Sequence, residues 1–352
     1  FAPSPLSRLA ARCGRGDAAG GLAKPDPRRP LAWGRAGFMG WRTTQRRPIC
    51  GTLKPVQIQA NGLRIEVDDQ GPTDGPVVLL IMGLGMQLIA WPQALVQALT
   101  GRGFRVVRFD NRDIGLSQGF DAAGVPNIAV AGLRHWLHLP VRSPYSLADM
   151  ARDALGVLDA LGIGRAHVCG ASMGGMIAQH LAASAPERVA SLTLMMTSSG
   201  ARSLPKPSWA VQRKLLARPQ GPGREAAVDW IVNVLRTIGS PGYPADPTAL
   251  RALALESVQR AWHPAGSARQ LLAIVADGDR TPLLPRISAP THIVHGADDP
   301  LLPPACARQL AQHIAGSQIE FIPGMGHDLP GALLERLAAG IAHTAGRAGV
   351  SV

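Results

Sequence analysis

Only four cysteines occur among 352 residues, Cys13, Cys50, Cys169 and Cys306, and none forms a Cys-x-x-Cys pair. This spacing supports neither a disulfide framework nor a zinc site, and it points to a reducing cytoplasm. Long apolar runs are missing too, since no stretch approaches the roughly 18 residues that a bilayer-crossing helix needs. No membrane partner is therefore expected. Acidic charge is scarce, 24 Asp and Glu against 36 Lys and Arg, for a formal net charge of +12. The excess is not spread evenly: residues 1–50 hold ten Lys and Arg against only Asp17 and Asp26, a net of +8 that leaves +4 for the rest. The body is close to neutral and has no element along which aromatic and basic residues alternate, the pattern that stacks on bases. Nucleic acid is not an expected partner; binding through the basic N-terminal segment is the weakest of the alternatives.

Residues 1–54 are rich in Arg, Gly, Pro and Ala without sustained periodicity, which reads as a disordered extension. Arg8, Arg12 and Arg15 interrupt every candidate for the apolar core of a secretory signal. An Arg-rich organelle leader is an alternative to a cytoplasmic location. So is an over-extended reading frame, because no Met precedes Met39.

What is present from residue 55 onward is an alternation of strands and helices. In "VQIQANGLRIEVDD" Asn61-Gly62 separates two alternating segments, the strongest short-range hairpin signal. "PVVLLIMG", Pro76 to Gly83, is a continuous apolar run of the kind found in strands buried on both faces. A helix with Leu95 and Leu99 on one face follows, then the strand "FRVVRFD". Ser146 and Asp149 bracket the start of "YSLADMARDALGVLDALG" as a near capping box with Asp in place of Glu. "AHVCG" reads as a strand, "MGGMIAQHLAASAP" as a helix stopped by Pro186, and "VASLTLMM" as another strand. Between about Gly200 and Pro290 only helical periodicity appears. The α/β rhythm resumes with "PTHIVHG", a helix near Pro304, "QIEFIP" and a last helix from about Gly331. The pattern predicts an α/β fold with a mostly parallel central sheet flanked by helices, its core at 55–199 and 290–347, interrupted by a helical lid at 200–289.

Two serines fit Gly-x-Ser-x-Gly: Ser117 in "GLSQG" and Ser172 in "GASMG". A nucleophile elbow needs a strand running straight into a tight turn and then a helix, because that geometry lifts the hydroxyl above the sheet edge. Ser172 lies between "AHVCG" and "MGGMIAQHL" and meets the condition. Ser117 stands seven residues past Asp110, the end of its strand, and is followed by the breaker-rich "FDAAGVPN", so it reads as a turn serine.

A serine hydroxyl needs a histidine to take its proton and a carboxylate to orient that histidine. In "HGADDPLL" the strand ends at Gly296 and the turn offers Asp298 and Asp299. Asp also caps turns readily, and motif register assigns Asp298 to the turn and Asp299 to the acid. Of ten histidines, only His327, in "PGMGHDLPG" between the final strand and the final helix, follows the acid in the right order and place. Backbone donors for an oxyanion are expected from Met173, after the nucleophile, and from Leu84 in "LIMGLGMQLIAWP".

Taken in order, these motifs resemble the α/β-hydrolase fold superfamily in its lid-bearing serine esterase branch, over about residues 55–345. "LIMGLGMQLIAWP", "FDNRDIGLS" and "ASMGG" are most similar to the aclacinomycin methylesterase-like group. Two departures stand out. Asp113 occupies a position where the family's turn commonly has Gly, and Met82-Gly83 replaces its usual His-Gly. The resemblance implies no metal and no organic cofactor, and a small-molecule ester of small or medium apolar character as substrate. Ser in place of Asp at the nucleophile disfavours the halide- and epoxide-opening branches. A C–C bond hydrolase, lactonase or perhydrolase with the same triad is an alternative, and a catalytically silent scaffold is one of another class. Trp209, Trp230 and Trp262 are candidates for an apolar pocket or for packing.

Overall fold

The computed structural model describes residues 56–349 other than 216 and 218, so the expected N-terminal extension at 1–54 lies outside the described residues. The chain enters as the hairpin β1 (Val56–Ala60) and β2 (Leu63–Gln70), with Ala60 paired to Leu63 across the two-residue turn. Asn61 and Gly62 both take positive φ, 50° and 75°, as a type I′ turn demands.

Next come β3 (Val77–Ile81), α1 (Gln93–Thr100) and β4 (Arg105–Phe109), then α2 (Ile128–Trp136), α3 (Leu147–Ala160), β5 (Ala166–Ala171), α4 (Met173–Ser184) and β6 (Val189–Met195). Four α-helices then follow, with no strand among the described residues: α5 (Trp209–Leu215), α6 (Arg224–Ile238), α7 (Pro247–Arg260) and α8 (Pro264–Asp277). The chain closes with β7 (Thr291–Gly296), α9 (Ala305–His313), β8 (Gln318–Ile322) and α10 (Leu334–Gly346).

The eight strands form one sheet in the order β1-β2-β4-β3-β5-β6-β7-β8, with β2 antiparallel to β1 and β4 and every later pairing parallel. Alternation along the buried strands divides the core in two. Leu79 and Ile81 of β3 join the cluster under α3 and α4, whereas Val78 and Leu80 join the one under α1 and α10. Each fully buried Leu or Ile contributes roughly 1.5–3 kcal/mol relative to exposure, which is why β3 reads as an unbroken apolar run. A third, smaller cluster, including Val228, Val232 and Val258, holds α6 against α7.

Local signals account for several boundaries. The Ser146 hydroxyl accepts from Asp149 N–H while the Asp149 carboxylate accepts from Ser146 N–H, so Asp completes the capping box despite being shorter than Glu. Helix α2 is the element the sequence reading lacked. Ala131 is its one buried residue, and Val130, Leu133 and Trp136 are exposed.

Candidate active site

Ser172 sits between β5 and α4 with φ 55° and ψ −120°, a conformation sparsely populated by residues with a side chain. The fold holds that strain by close packing. A Cβ added at Gly170 would lie 2.3 Å from the Gly174 carbonyl oxygen, and one at Gly174 only 1.9 Å from the Ile81 carbonyl oxygen. The start of α4 therefore abuts the end of β3, which brings Met173 beside the loop that carries Leu84. Ser172 N–H donates to Met195 O at 2.9 Å and Thr197 Oγ1 donates to Ser172 O at 2.7 Å, fixing the turn on its β6 side.

The three side chains singled out in the sequence come together here. Ser172 Oγ lies 2.9 Å from His327 Nε2, and His327 Nδ1 lies 2.7 Å from Asp299 Oδ2. The other carboxylate oxygen, Asp299 Oδ1, accepts the N–H groups of Leu301 and Leu302, each at 2.8 Å. A carboxylate oxygen accepts, so His327 Nδ1–H is the donor toward Asp299. Nε2 is then left to accept from the serine hydroxyl. Asp298 faces elsewhere and accepts Gly324 N–H at 2.7 Å, closing the loop that leads to His327. His295, fully buried, donates from Nε2 to Leu302 O at 2.7 Å; burial holds its pKa below the usual value, so it stays neutral beside Asp299.

The Met173 and Leu84 amides have no backbone acceptor among the described residues. Gly83 packs so closely that a Cβ there would come within 3.1 Å of Ser172 Cβ. The loop is held by side chains of the "FDNRDIGLS" turn and of α8. Asn111 Nδ2 donates to Met82 O at 2.9 Å, and Leu88 N–H donates to Asp110 Oδ1 at 2.7 Å. From α8, Gln270 accepts Gly85 N–H at 2.9 Å and donates to Arg112 O at 2.8 Å. Met82 thus has its carbonyl secured from the β4 turn. Ser117 lies in that same turn, its hydroxyl donating to Asp110 O at 2.6 Å and accepting Glu66 N–H at 2.9 Å. Both of its hydrogen-bonding functions serve the backbone.

Asp113, also in the turn, has φ 72°, which explains why Gly suits the position and why Asp, tolerant of this region, can replace it. Its buried carboxylate is bidentate to Arg269 of α8, at 2.8 and 2.7 Å, and accepts from Tyr145 Oη at 2.7 Å and Phe120 N–H at 2.7 Å. Burial pushes the Asp113 carboxyl up, but these bonds outweigh it and leave it below its ordinary pKa.

The connection after α6 grips the histidine loop. His327 N–H donates to Ile238 O at 2.7 Å, Gly326 N–H donates to Ser240 Oγ at 2.8 Å, and Ser240 Oγ–H donates in turn to the Asp328 carboxylate. Burial raises the Asp328 pKa and the Ser240 hydrogen bond opposes it. Ser240→Ala should lower kcat roughly 5- to 30-fold, as expected for about 1–2 kcal/mol of lost positioning. KM should move little, and Ser240→Thr should restore most of the loss; steady-state kinetics on the three proteins checks this.

Trp230 and Trp262 pack edge to face with ring centroids 6.1 Å apart, while Trp209 is exposed. Among the described residues no group of three or more His, Cys, Asp or Glu side chains is placed to hold a metal ion.

An eight-stranded, mostly parallel sheet, a strained serine between its strand and helix, and a histidine and carboxylate in line with that serine define the α/β-hydrolase class. The chain belongs to the alpha/beta hydrolase fold family, whose model matches residues 76–330, and is an α/β-hydrolase enzyme. It is 33% identical over 293 residues to rhodomycin D methylesterase DauP of Streptomyces sp. (strain C5), covering 78% of this chain and 92% of that protein. Rhodomycin D methylesterase DnrP of Streptomyces peucetius is 32% identical over the same shares. Among solved structures, the enol-lactonase from Burkholderia xenovorans LB400 superposes with a TM-score of 0.61 at 26% identity, covering 82% of this chain and 97% of the other.

Proposed function

We propose that the chain is a serine hydrolase of carboxylic esters working through an acyl-enzyme, with Ser172 as nucleophile, His327 as base and acid, and Asp299 as its orienter. The continuous line from Ser172 Oγ to His327 Nε2 at 2.9 Å and from His327 Nδ1 to Asp299 at 2.7 Å carries this reading. Ser172 Oγ attacks the ester carbonyl carbon while its proton passes to His327 Nε2. The carbonyl oxygen becomes an oxyanion that accepts the N–H groups of Met173 and Leu84. Collapse of the tetrahedral species breaks the bond to the alkoxy group, which leaves as an alcohol with the proton from His327. A water molecule, deprotonated by His327, then attacks the acyl-serine and frees the acid. Helices α5–α8 act as the lid over this edge of the sheet, and the substrate is a small or medium apolar carboxylic ester. The names of the two Streptomyces relatives support a methyl ester in particular.

A second reading, lactone opening by the same triad, draws on the enol-lactonase likeness. Turnover of a matched panel of methyl esters and lactones separates them. Methyl esters should be hydrolysed with the higher kcat/KM; turnover of lactones alone would overturn the ester assignment.

A further inference from the structure

Helix α2 carries its apolar stripe on the wrong side for a helix that packs only on its own protein. Val130, Leu133, Trp136 and Leu137 recur at helical spacing and are all exposed, Leu133 at 56% and Trp136 at 72%. The inward side is made by Ala131, the one buried residue of the helix, with Arg134 and His135 half-buried. Contiguous exposed apolar surface of this kind marks an interaction site. The charges in two segments, one of them containing α2, have one sign. Residues 125–142 contain Arg134 and Arg142 and no acid, and residues 200–215 contain Arg202, Lys206, Arg213 and Lys214 and no acid. The two segments lie along one helix, since α2 packs against α8 and Arg280 N–H, just beyond α8, donates to Ser199 O at 2.8 Å; after burial, the charges of Arg202 and Lys206 are the next cause of the lowered His135 pKa. Trp209, three residues beyond Lys206, is exposed at 75%.

An occupant must therefore offer both an apolar layer and negative charge. A second copy of this patch brings the same positive charge, as do residues 1–50 with their net of +8. We propose that the outer face of α2, together with the Arg202–Trp209 segment, docks on the surface of an anionic lipid bilayer. Leu133 and Trp136 enter the interfacial layer while Arg202 and Lys206 meet lipid phosphates. No helix among the described residues is long and apolar enough to cross a membrane. The sequence-based expectation of no membrane partner rests on the lack of such a span, which has no bearing on contact from one side.

Cosedimentation of the full chain with phosphatidylcholine vesicles, and with vesicles enriched in phosphatidylglycerol, tests this. Binding is expected to the anionic vesicles, weakened by high salt, with a blue shift of tryptophan emission. Leu133→Ser/Trp136→Ser should weaken it at least about tenfold, and Arg202→Gln/Lys206→Gln about 30-fold. Both double variants should hydrolyse a short soluble ester as the parent chain does. The proposal is overturned if neither vesicle binds, if neutral vesicles bind equally, or if both double variants bind undiminished, which would place the contact elsewhere on the chain. It is likewise overturned if light scattering shows a dimer that Leu133→Ser/Trp136→Ser dissociates, since a second copy would then be the occupant.

Discussion

Ser172→Ala should keep the fold and lose catalysis: a drop in kcat on the order of 10⁴- to 10⁶-fold, with a melting temperature within a few degrees of the parent. The size of the loss follows from the line of contacts, because removing Oγ leaves His327 with no proton to take and the carbonyl with no nucleophile. The small effect on stability follows from the backbone. Residue 172 already holds φ 55°, and Ala has the same Cβ to accommodate, so the strain is neither added nor released. The hydroxyl itself contributes a single side-chain contact, to His327. Ser117→Ala should show the reverse. Its buried hydroxyl ties Glu66 N–H to Asp110 O, so its loss should cost about 1–3 kcal/mol of unfolding free energy and leave kcat within severalfold. A fluorophosphonate probe separates the two cases directly: label should attach to the parent and to Ser117→Ala, and labelling of Ser172→Ala would sink the assignment of the nucleophile.

The contrast between these serines also shows what a sequence can convey. Both satisfy the same five-residue pattern, and the flanks distinguish them because an elbow is a local object: strand, turn and helix are contiguous in the chain. The hairpin at Asn61-Gly62, the capping box at Ser146 and Asp149, and the buried run of β3 are local in the same sense, and each appears where its residues predict. Ser240 and Gln270 were illegible for the opposite reason. Ser240 meets Gly326 across 86 residues, and Gln270 meets Gly85 across 185. Nothing beside either residue marks it, since a serine after a helix and a glutamine within one have many ordinary uses. The outward stripe of α2 escaped for a third reason: periodicity reveals that one face is apolar, but not whether the protein or something else covers it.

Asp113 is the departure whose consequence is largest for stability. Arg269→Met should destabilise the chain by about 3–5 kcal/mol, because it leaves a carboxylate with no exposed side-chain surface without its bidentate partner. The Tyr145 hydroxyl and Phe120 N–H remain, but neither carries a charge to offset the cost of burial. Asp113→Gly/Arg269→Met should recover most of the loss: glycine adopts φ 72° without strain, and methionine fills the channel with no charge left behind. Urea unfolding of the parent, the two single variants and the double variant forms a cycle in which the coupling should reach at least about 2 kcal/mol. Simple additivity would remove the pair from any account of stability. The same pair sets a pH dependence. With the folded pKa of Asp113 below its unfolded value of about 3.9, its contribution is present above that value and is lost as pH falls through the lower, folded one. The parent should therefore lose stability in acid more steeply than the double variant. Kinetics reads a further consequence, because Arg269 joins α8 to the turn that carries Asn111, the holder of the Met82 carbonyl. Arg269→Met should lower kcat even at temperatures where it is fully folded, and the double variant, with the turn relaxed onto glycine, should regain only part of that rate. Once Arg269 is lost, stability needs the Asp113 charge gone, whereas the loop carrying Gly85 needs α8 held against the turn.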